Sequence, residues 1–439
     1  MPRAGGGQGA AGWKRRDRIR GQAWTSRPLT AAAPRSFVFH RIAGRELPVV
    51  SRALGAVVWD TEGRRYLDGS GGAVVVNIGH GRDEVASAMA RQAADAAYVH
   101  GSHFTSEVLE EYARRLAVHA PGDCRRLYLL SGGSEATETA VKLARAYHLA
   151  RGEAGRYKVI GRSIAYHGNT LVALGLSGRP TLQAPYAPML AAGPRAASPF
   201  CYHCPLEREY PACGVACADD LEAVIAREGA GTVSAFIAEP VLGASAGAAV
   251  PPDEYTRRVR ETCRRHGIVY IDDEVMAGFG RTGRWFGIEW SGEAPDIVTC
   301  GKGMSGGYAP VGAILACLAT LDILEREGLV ERAAALGERA LARLQDLRAH
   351  PQVGDVRGRG LLMAVELVAD PKTRRPLPRA QRRAETVAAR AFDEGLIVYP
   401  SAGCATGTEG DVILLAPPLV ATDDEVDEMI AILDRVLAQ

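Results

Sequence analysis

The chain has 439 residues, 47% of them hydrophobic and 23% charged, with 52 Lys and Arg against 51 Asp and Glu for a formal net charge of +1. That near balance excludes a polyanion such as nucleic acid, or an anionic membrane surface, as the main partner. No apolar run approaches the ~20 residues that cross a bilayer, and a chain of this length buries a large core, so a soluble enzyme is expected.

Residues 1–36 are rich in Gly and Ala and carry Arg3, Lys14, Arg15, Arg16, Arg18, Arg20, Arg27 and Arg35 against the single acid Asp17. Such a stretch cannot build a core and reads as a disordered extension. Its acid-poor, Arg-rich character also suits a transit peptide, but it lacks the apolar h-region of a secretory signal. A dispensable extension, or a start codon placed too early, is the expectation.

Residues 37–100 suit a small α/β unit. Ala56–Asp60 and Arg65–Asp68 read as a hairpin around Glu62-Gly63, and Asp83–Ala97 reads as a helix. From 101 to 320 strands and helices alternate, the pattern of a largely parallel sheet covered on both faces. The strands expected are Arg126–Leu130, Val159–Gly161, Ala235–Ala238, Ile268–Asp272 and Ile297–Cys300. Ligands of such sheets bind beyond the carboxyl ends of the strands. After Leu318 the chain reads as helical through Leu347. Residues 321–439 form a second mixed unit with Leu361–Leu367, Val412–Ala416 and a closing helix from Thr422 to Leu437, whose Asp423 and Asp424 suit the positive end of a helix.

Nine cysteines without a secretory signal point to a reducing, cytoplasmic setting. Four of them, Cys201, Cys204, Cys213 and Cys217, cluster in a Pro- and Tyr-rich stretch. The first pair has zinc-knuckle spacing, whereas the second is one residue too wide; a zinc site of four thiolates and a loop packed by small thiols are the two readings.

The chemistry lies at the strand ends. Ser131-Gly132-Gly133-Ser134-Glu135 links an apolar strand to a helix, and such a turn aims free backbone amides at an anion, with phosphate as a fit. Tyr166-His167-Gly168 offers an aromatic plate for a planar ligand. Glu239 and Asp273 end apolar strands, where a buried carboxylate needs a partner such as a protonated ring nitrogen. Val275 can pack on the opposite ring face. Lys302 ends the run Ile297-Val298-Thr299-Cys300-Gly301 and meets Gly303, Gly306 and Gly307 at once. A lysine there loses hydration, its pKa falls, and it becomes a usable nucleophile. Phosphate cradle, aromatic plate, ring-nitrogen carboxylate and desolvated amine together describe pyridoxal phosphate.

With Ser131–Arg145, Tyr166–Thr170, Glu239-Pro240, Asp273-Glu274-Val275 with Gly278–Gly283, and Asp296–Gly303 with Gly306-Gly307-Tyr308, the chain resembles the class III aminotransferases, the ω-aminotransferase group of fold type I. The resemblance runs from Phe37 to the C-terminus. It implies a large domain with a mostly parallel, seven-stranded type of sheet and a small α+β domain built from both chain ends. It implies a Schiff base between pyridoxal 5'-phosphate and Lys302, which also moves the proton of the reaction. By the same likeness Asp273 meets the pyridine nitrogen, Gly133 and Ser134 hold the phosphate, Tyr166 with His167 and Val275 flank the ring, and Glu239 stands on the substrate side. An amine or amino acid as donor, a 2-keto acid as acceptor and a homodimer complete the picture.

A racemase, aminomutase or decarboxylase would use the same lysine and aspartate, and a non-catalytic relative would keep the scaffold. The sequence departs from the family after Leu315. There the family continues into a segment with a His-Thr-aromatic motif whose threonine reaches the neighbouring subunit's phosphate. Here Leu315–Leu321 runs straight into the next helix, so a strand and an interface loop are lost together. Arg281, Arg284, Arg357 and Arg359 are candidates to clamp a substrate carboxylate. Gly71-Gly72-Ala73, where relatives that take bulky amines often carry an aromatic, and the arginine-free loop Tyr399–Glu409 suggest an open pocket.

Overall fold

The computed structural model describes residues 38–41, 46–96, 100–191, 193–309 and 314–439. The expected Arg-rich extension, residues 1–36, lies outside them. The chain divides into two compact units, Met1–Pro48 and Val49–Gln439, and the second carries every element below.

The expected hairpin forms. β1 (Val50–Leu54), β2 (Val57–Asp60) and β3 (Arg65–Asp68) pair antiparallel in sequence, and Gly63 adopts the left-handed φ of +84° that the tight turn requires. Asp60 locks the turn by accepting from the backbone amides of Glu62 and Arg64, each at 2.9 Å. The helix Asp83–Asp95 follows.

The central sheet is built from β4 (Lys158–Arg162), β5 (Arg195–Ala196), β6 (Val233–Ala238), β7 (Val269–Asp273) and β8 (Ile297–Thr299), in the spatial order β5-β4-β6-β7-β8 with every pairing parallel. β6 and β7 are buried along their whole length, which accounts for their unbroken apolar runs. Alternate side chains serve opposite faces. Ala235, Ile237, Val269 and Ile271 pack with Ala140 and Ala144 of the helix Gly133–Ala150. Phe236 and Tyr270 share a second cluster with Leu221 and Ile225 of the helix Ala216–Glu228 and Val259 and Cys263 of the helix Asp253–His266.

The C-terminal part comprises β9 (Val353–Arg359), β10 (Leu362–Asp370), β11 (Arg375–Pro376), β12 (Leu396–Ile397), β13 (Tyr399–Ala402) and β14 (Asp411–Leu415). β12 pairs parallel with β3, so residues 396–397 complete the N-terminal sheet; the remaining five strands form an antiparallel sheet of their own. The closing helix Asp423–Leu437 starts with a reciprocal cap. Thr422 Oγ1 accepts from the Glu425 amide, and the Glu425 carboxylate accepts from the Thr422 amide.

One expected strand is missing. Arg126–Leu130 has no strand character and makes no backbone hydrogen bond among the described residues, and Tyr128 is 75% exposed. A strand needs a neighbour to satisfy its amides and carbonyls. The resemblance would put that neighbour between β8 and this segment, supplied by the chain just after Leu315, where a helix, Ile314–Arg326, already runs. β8 is accordingly a sheet edge among the described residues.

Tyr128→Ser should therefore change stability by less than about 0.5 kcal/mol, as an exposed substitution does. Ile237→Ala, in the buried centre of β6, should cost about 2–5 kcal/mol. Chemical denaturation midpoints of the two variants check the contrast.

Candidate active site

Strand direction assembles the site. β4, β6, β7 and β8 run parallel, so the segments after their carboxyl ends meet on one side of the sheet. Tyr166 and His167 follow β4, Glu239 follows β6, Asp273 ends β7 and Lys302 follows β8. Gly133 and Ser134 open the helix that covers this sheet face. All of them, with Val275, line one cavity of about 200 Å³. β7 is shifted by one residue from its expected span, which makes Asp273 its last member and puts its side chain on the face of Val269 and Ile271.

Asp273 is held from behind. Its Oδ2 lies 2.7 Å from His167 Nδ1, and its Oδ1 accepts from the Val275 amide at 3.1 Å. A carboxylate only accepts, so the proton belongs on His167 Nδ1. His167 is itself fixed, its amide donating to Ser177 Oγ and its carbonyl accepting from Thr137 Oγ1, both at 2.9 Å. Its Nε2 is buried without a partner.

Lys302 opens a short 3-10 turn, Lys302–Ser305, and adopts φ +45°, a left-handed conformation rare outside glycine. Its amine makes no hydrogen bond or ion pair among the described residues. Burial pulls its pKa down from 10.5 to about 8; Asp273 and Glu239 pull the other way and do not prevail. The amine is thus partly neutral near physiological pH.

Glu239 accepts from the amides of Tyr166 and Gly243, each at 3.1 Å. Burial pushes its pKa up, against the nearby charges of His167 and Arg162. Arg162, fully buried at the end of β4, donates to the Glu239 carbonyl at 2.8 Å and stands 3.8 Å from its carboxylate. The sequence reading missed Arg162, because nothing local in Lys158–Arg162 marks it as part of the site.

The helix Gly133–Ala150 begins without a side-chain cap at Gly132, which leaves its first amides available to an anion. Ser134 is no cap either, since its Oγ accepts from the Asn169 amide at 3.1 Å. A Cβ on Gly133 would lie 2.8 Å from Val275 Cγ1, and one on Gly168 would lie 2.4 Å from Ser134 Oγ. Gly168 thus lets the backbone approach Ser134 closely.

Val241, Ala244 and Met276 complete the cavity with an apolar wall that no motif announced. The candidate arginines are engaged elsewhere. Arg281 is buried on Asn77 Oδ1 and the carbonyls of Leu361 and Pro417; Arg357 pairs with Asp355 and Glu366; Arg284 and Arg359 stack on Trp290. The loop after Tyr399 backs the wall, with Ser401 Oγ donating to the Ala244 carbonyl at 2.6 Å. Gly71 does not report on pocket size, since its Cβ would meet the Ala416 carbonyl at 2.7 Å.

The four cysteines of the cluster, Cys201, Cys204, Cys213 and Cys217, are free thiols that line one small recess with Phe200, Leu206 and Tyr210. Among the described residues no group of three or more His, Cys, Asp or Glu is arranged to hold a metal ion. No described helix is long and apolar enough to cross a membrane.

The sheet order and the placement of the cavity define an α/β enzyme of the fold type I transferases. The family model for class III aminotransferases matches residues 41–316 and 310–437, two stretches that overlap where the sequence departs from the resemblance. A probable aminotransferase of Mycobacterium tuberculosis is 38% identical over 429 residues, 90% of each chain. An uncharacterised aminotransferase of Bacillus subtilis is 35% identical over 422 residues, 89% of this chain and 95% of the other. Among solved structures, an (S)-enantioselective omega-transaminase from Thermomicrobium roseum superposes with a TM-score of 0.83 at 36% identity, covering 90% of this chain and 93% of its own. An amine transaminase from an uncultivated Pseudomonas species, in its pyridoxal-phosphate-bound form, gives a TM-score of 0.84 at 35% identity over 92% of this chain and 99% of its own. The chain belongs to the class III aminotransferases, and its reaction is the transfer of an amino group.

Gly133→Ala should weaken phosphate capture about tenfold, as a methyl that forces Val275 and the turn apart removes on the order of 1.4 kcal/mol. Titration with pyridoxal phosphate followed by absorbance, with circular dichroism to show an intact fold, measures it.

Proposed function

We propose that the chain binds pyridoxal 5'-phosphate in this cavity and moves an amino group from an uncharged-tail amine to a 2-keto acid, as a cytoplasmic homodimer. The observation that carries the reading is the Lys302 amine, held near neutrality in one cavity with an uncapped helix N-terminus and the carboxylate of Asp273. The donor set fits the cofactor. Gly133, Ser134 and the first amides of the helix would hold the phosphate, Tyr166 and Val275 would pack against the ring, and Asp273 would favour a proton on the ring nitrogen.

Pyridoxal phosphate supplies an aldehyde for an amine and a ring that, protonated at nitrogen, accepts the electron pair of a broken C–H bond. The protein supplies position and proton transfer. Lys302 Nζ, with a pKa close to ambient pH, is matched both to attack and to carry a proton from the donor carbon and return it. His167 keeps the Asp273 carboxylate aimed at the cavity. Val241, Ala244 and Met276 favour an apolar donor substituent, because a donor carboxylate against that wall would lose its hydration without a partner.

Four measurements test the reading. Borohydride reduction of protein incubated with pyridoxal phosphate should label the peptide containing Lys302, and Lys302→Ala should abolish the adduct. Labelling should accelerate about tenfold from pH 7 to pH 9, since only the neutral amine reacts and its fraction grows as pH passes a pKa of about 8; a flat profile contradicts the assignment. Asp273→Asn should slow amine turnover about 10²–10³-fold, the loss that follows removal of one charge-stabilising group. With pyruvate as acceptor, apolar primary amines should exceed glutamate as donors by about tenfold or more in kcat/KM, given the cost of an unpaired buried charge.

A further inference from the structure

β7 and the residue after it carry three consecutive acids, Asp272, Asp273 and Glu274, and the site uses only the middle one. Asp272 faces the other side of the sheet, with Tyr270, and is 0% exposed; Glu274 is 1% exposed. Glu274 Oε1 accepts from the Ile288 amide at 2.8 Å. Both oxygens of Asp272 and Oε2 of Glu274 are buried without a donor, although the two side chains lie within hydrogen-bonding reach of each other. Three acceptor oxygens in one dry place are costly. A single proton between them turns the contact of two acceptors into a hydrogen bond.

We propose that Asp272 is a neutral acid in the folded protein, donating its proton to Glu274 Oε2, and that this pair is a positioning device which leaves the negative charge of the strand end on Asp273. The surroundings agree. Tyr270 on the same strand, Cys300 beyond β8, Cys124 and the charge of Asp273 face the Asp272 carboxyl, and Arg162 at the end of β4 is the one cation among them. Burial and the neighbouring Glu274 push Asp272 well above its ordinary pKa, and burial takes Glu274 up to about 7.

The geometry shows what the proton holds. Glu274 joins β7 to its neighbours through three backbone contacts: its amide donates to the Thr299 carbonyl of β8 at 2.9 Å, its carbonyl accepts from Gly278 at 3.0 Å, and its carboxylate anchors the turn Gly287–Ser291 at Ile288. Asp273 sits between the two partners of the pair. With Asp272 ionised, mutual repulsion would separate 272 from 274 and shift the backbone that aims Asp273 at the cavity.

The test needs no turnover, so its failure is separate from failure of the cofactor reading. An acid that keeps its proton when folded costs stability as pH rises above its unfolded pKa of about 3.9, because unfolding then releases that proton. Asp272→Asn retains a donor to Glu274 and removes the cost. Melting of the full chain, with and without added pyridoxal phosphate, should show Asp272→Asn more stable than the parent by about 2–5 °C at pH 8, narrowing toward pH 5. Difference infrared spectroscopy should show a protonated-carboxyl carbonyl band in the parent that disappears in the variant. Glu274→Gln, which can donate to Asp272 and let it ionise, should lose the same band and serves if Asp272→Asn fails to fold. A pH-independent difference in Tm, or a parent spectrum without the band, overturns the proposal.

Discussion

Desolvation of one primary amine between two carboxylates is the constraint on which the rest of the site depends. Lys302 stands in a cavity with Asp273 and Glu239, and burial outweighs their attraction. Each acid is then tied back so that it does not collapse onto the lysine. His167 Nδ1 holds Asp273, and Arg162 with two backbone amides holds Glu239. The amine is left without an ion pair among the described residues, and an unpaired amine whose pKa burial has lowered is a usable nucleophile. The left-handed backbone at Lys302 is a local strain of the kind that persists where surrounding structure over-determines a functional residue.

That balance survives a truncated sheet. Arg126–Leu130 has no strand partner among the described residues, yet the cavity is built at the carboxyl ends of β4, β6, β7 and β8, which stay paired in parallel. Gly133 still meets the site, with Gly301 3.5 Å from its Cα measured from an ideal Cβ. The phosphate turn is therefore placed by packing of its helix on the sheet, through Ala140 and Ala144, and not by pairing of the segment before it. The threonine of the absent segment has no counterpart here, and the uncapped helix amides with Ser134 carry the phosphate contacts alone in the proposed mode of binding.

Much of this was legible in the chain. Strands β4, β6, β7 and β8 announced themselves because a buried parallel strand is a short, nearly continuous apolar run, and the residues that interrupt such runs at their ends, Asp273 and Lys302, stand out by their cost. The Glu62-Gly63 hairpin and the start of the closing helix, marked by Asp423 and Asp424, were readable from local turn and helix-end chemistry. Arg126–Leu130 misled for the same reason that the others succeeded. An apolar run marks the capacity to pair, and pairing requires a neighbour that is absent among the described residues.

Alone, the sequence determined the residue types at the strand ends, the order of the motifs and hence the aminotransferase family, since these follow from local patterns and from ordered spacing along the chain. Only the tertiary structure decided which charges meet. Arg162 lies beneath Glu239 across 77 residues, His167 behind Asp273 across 106, Val241, Ala244 and Met276 form one wall, and four arginines are engaged away from the pocket. The reason is physical: desolvation and Coulomb attraction act over ångströms in space, and separations along a chain do not encode them until the sheet has brought the strand ends together.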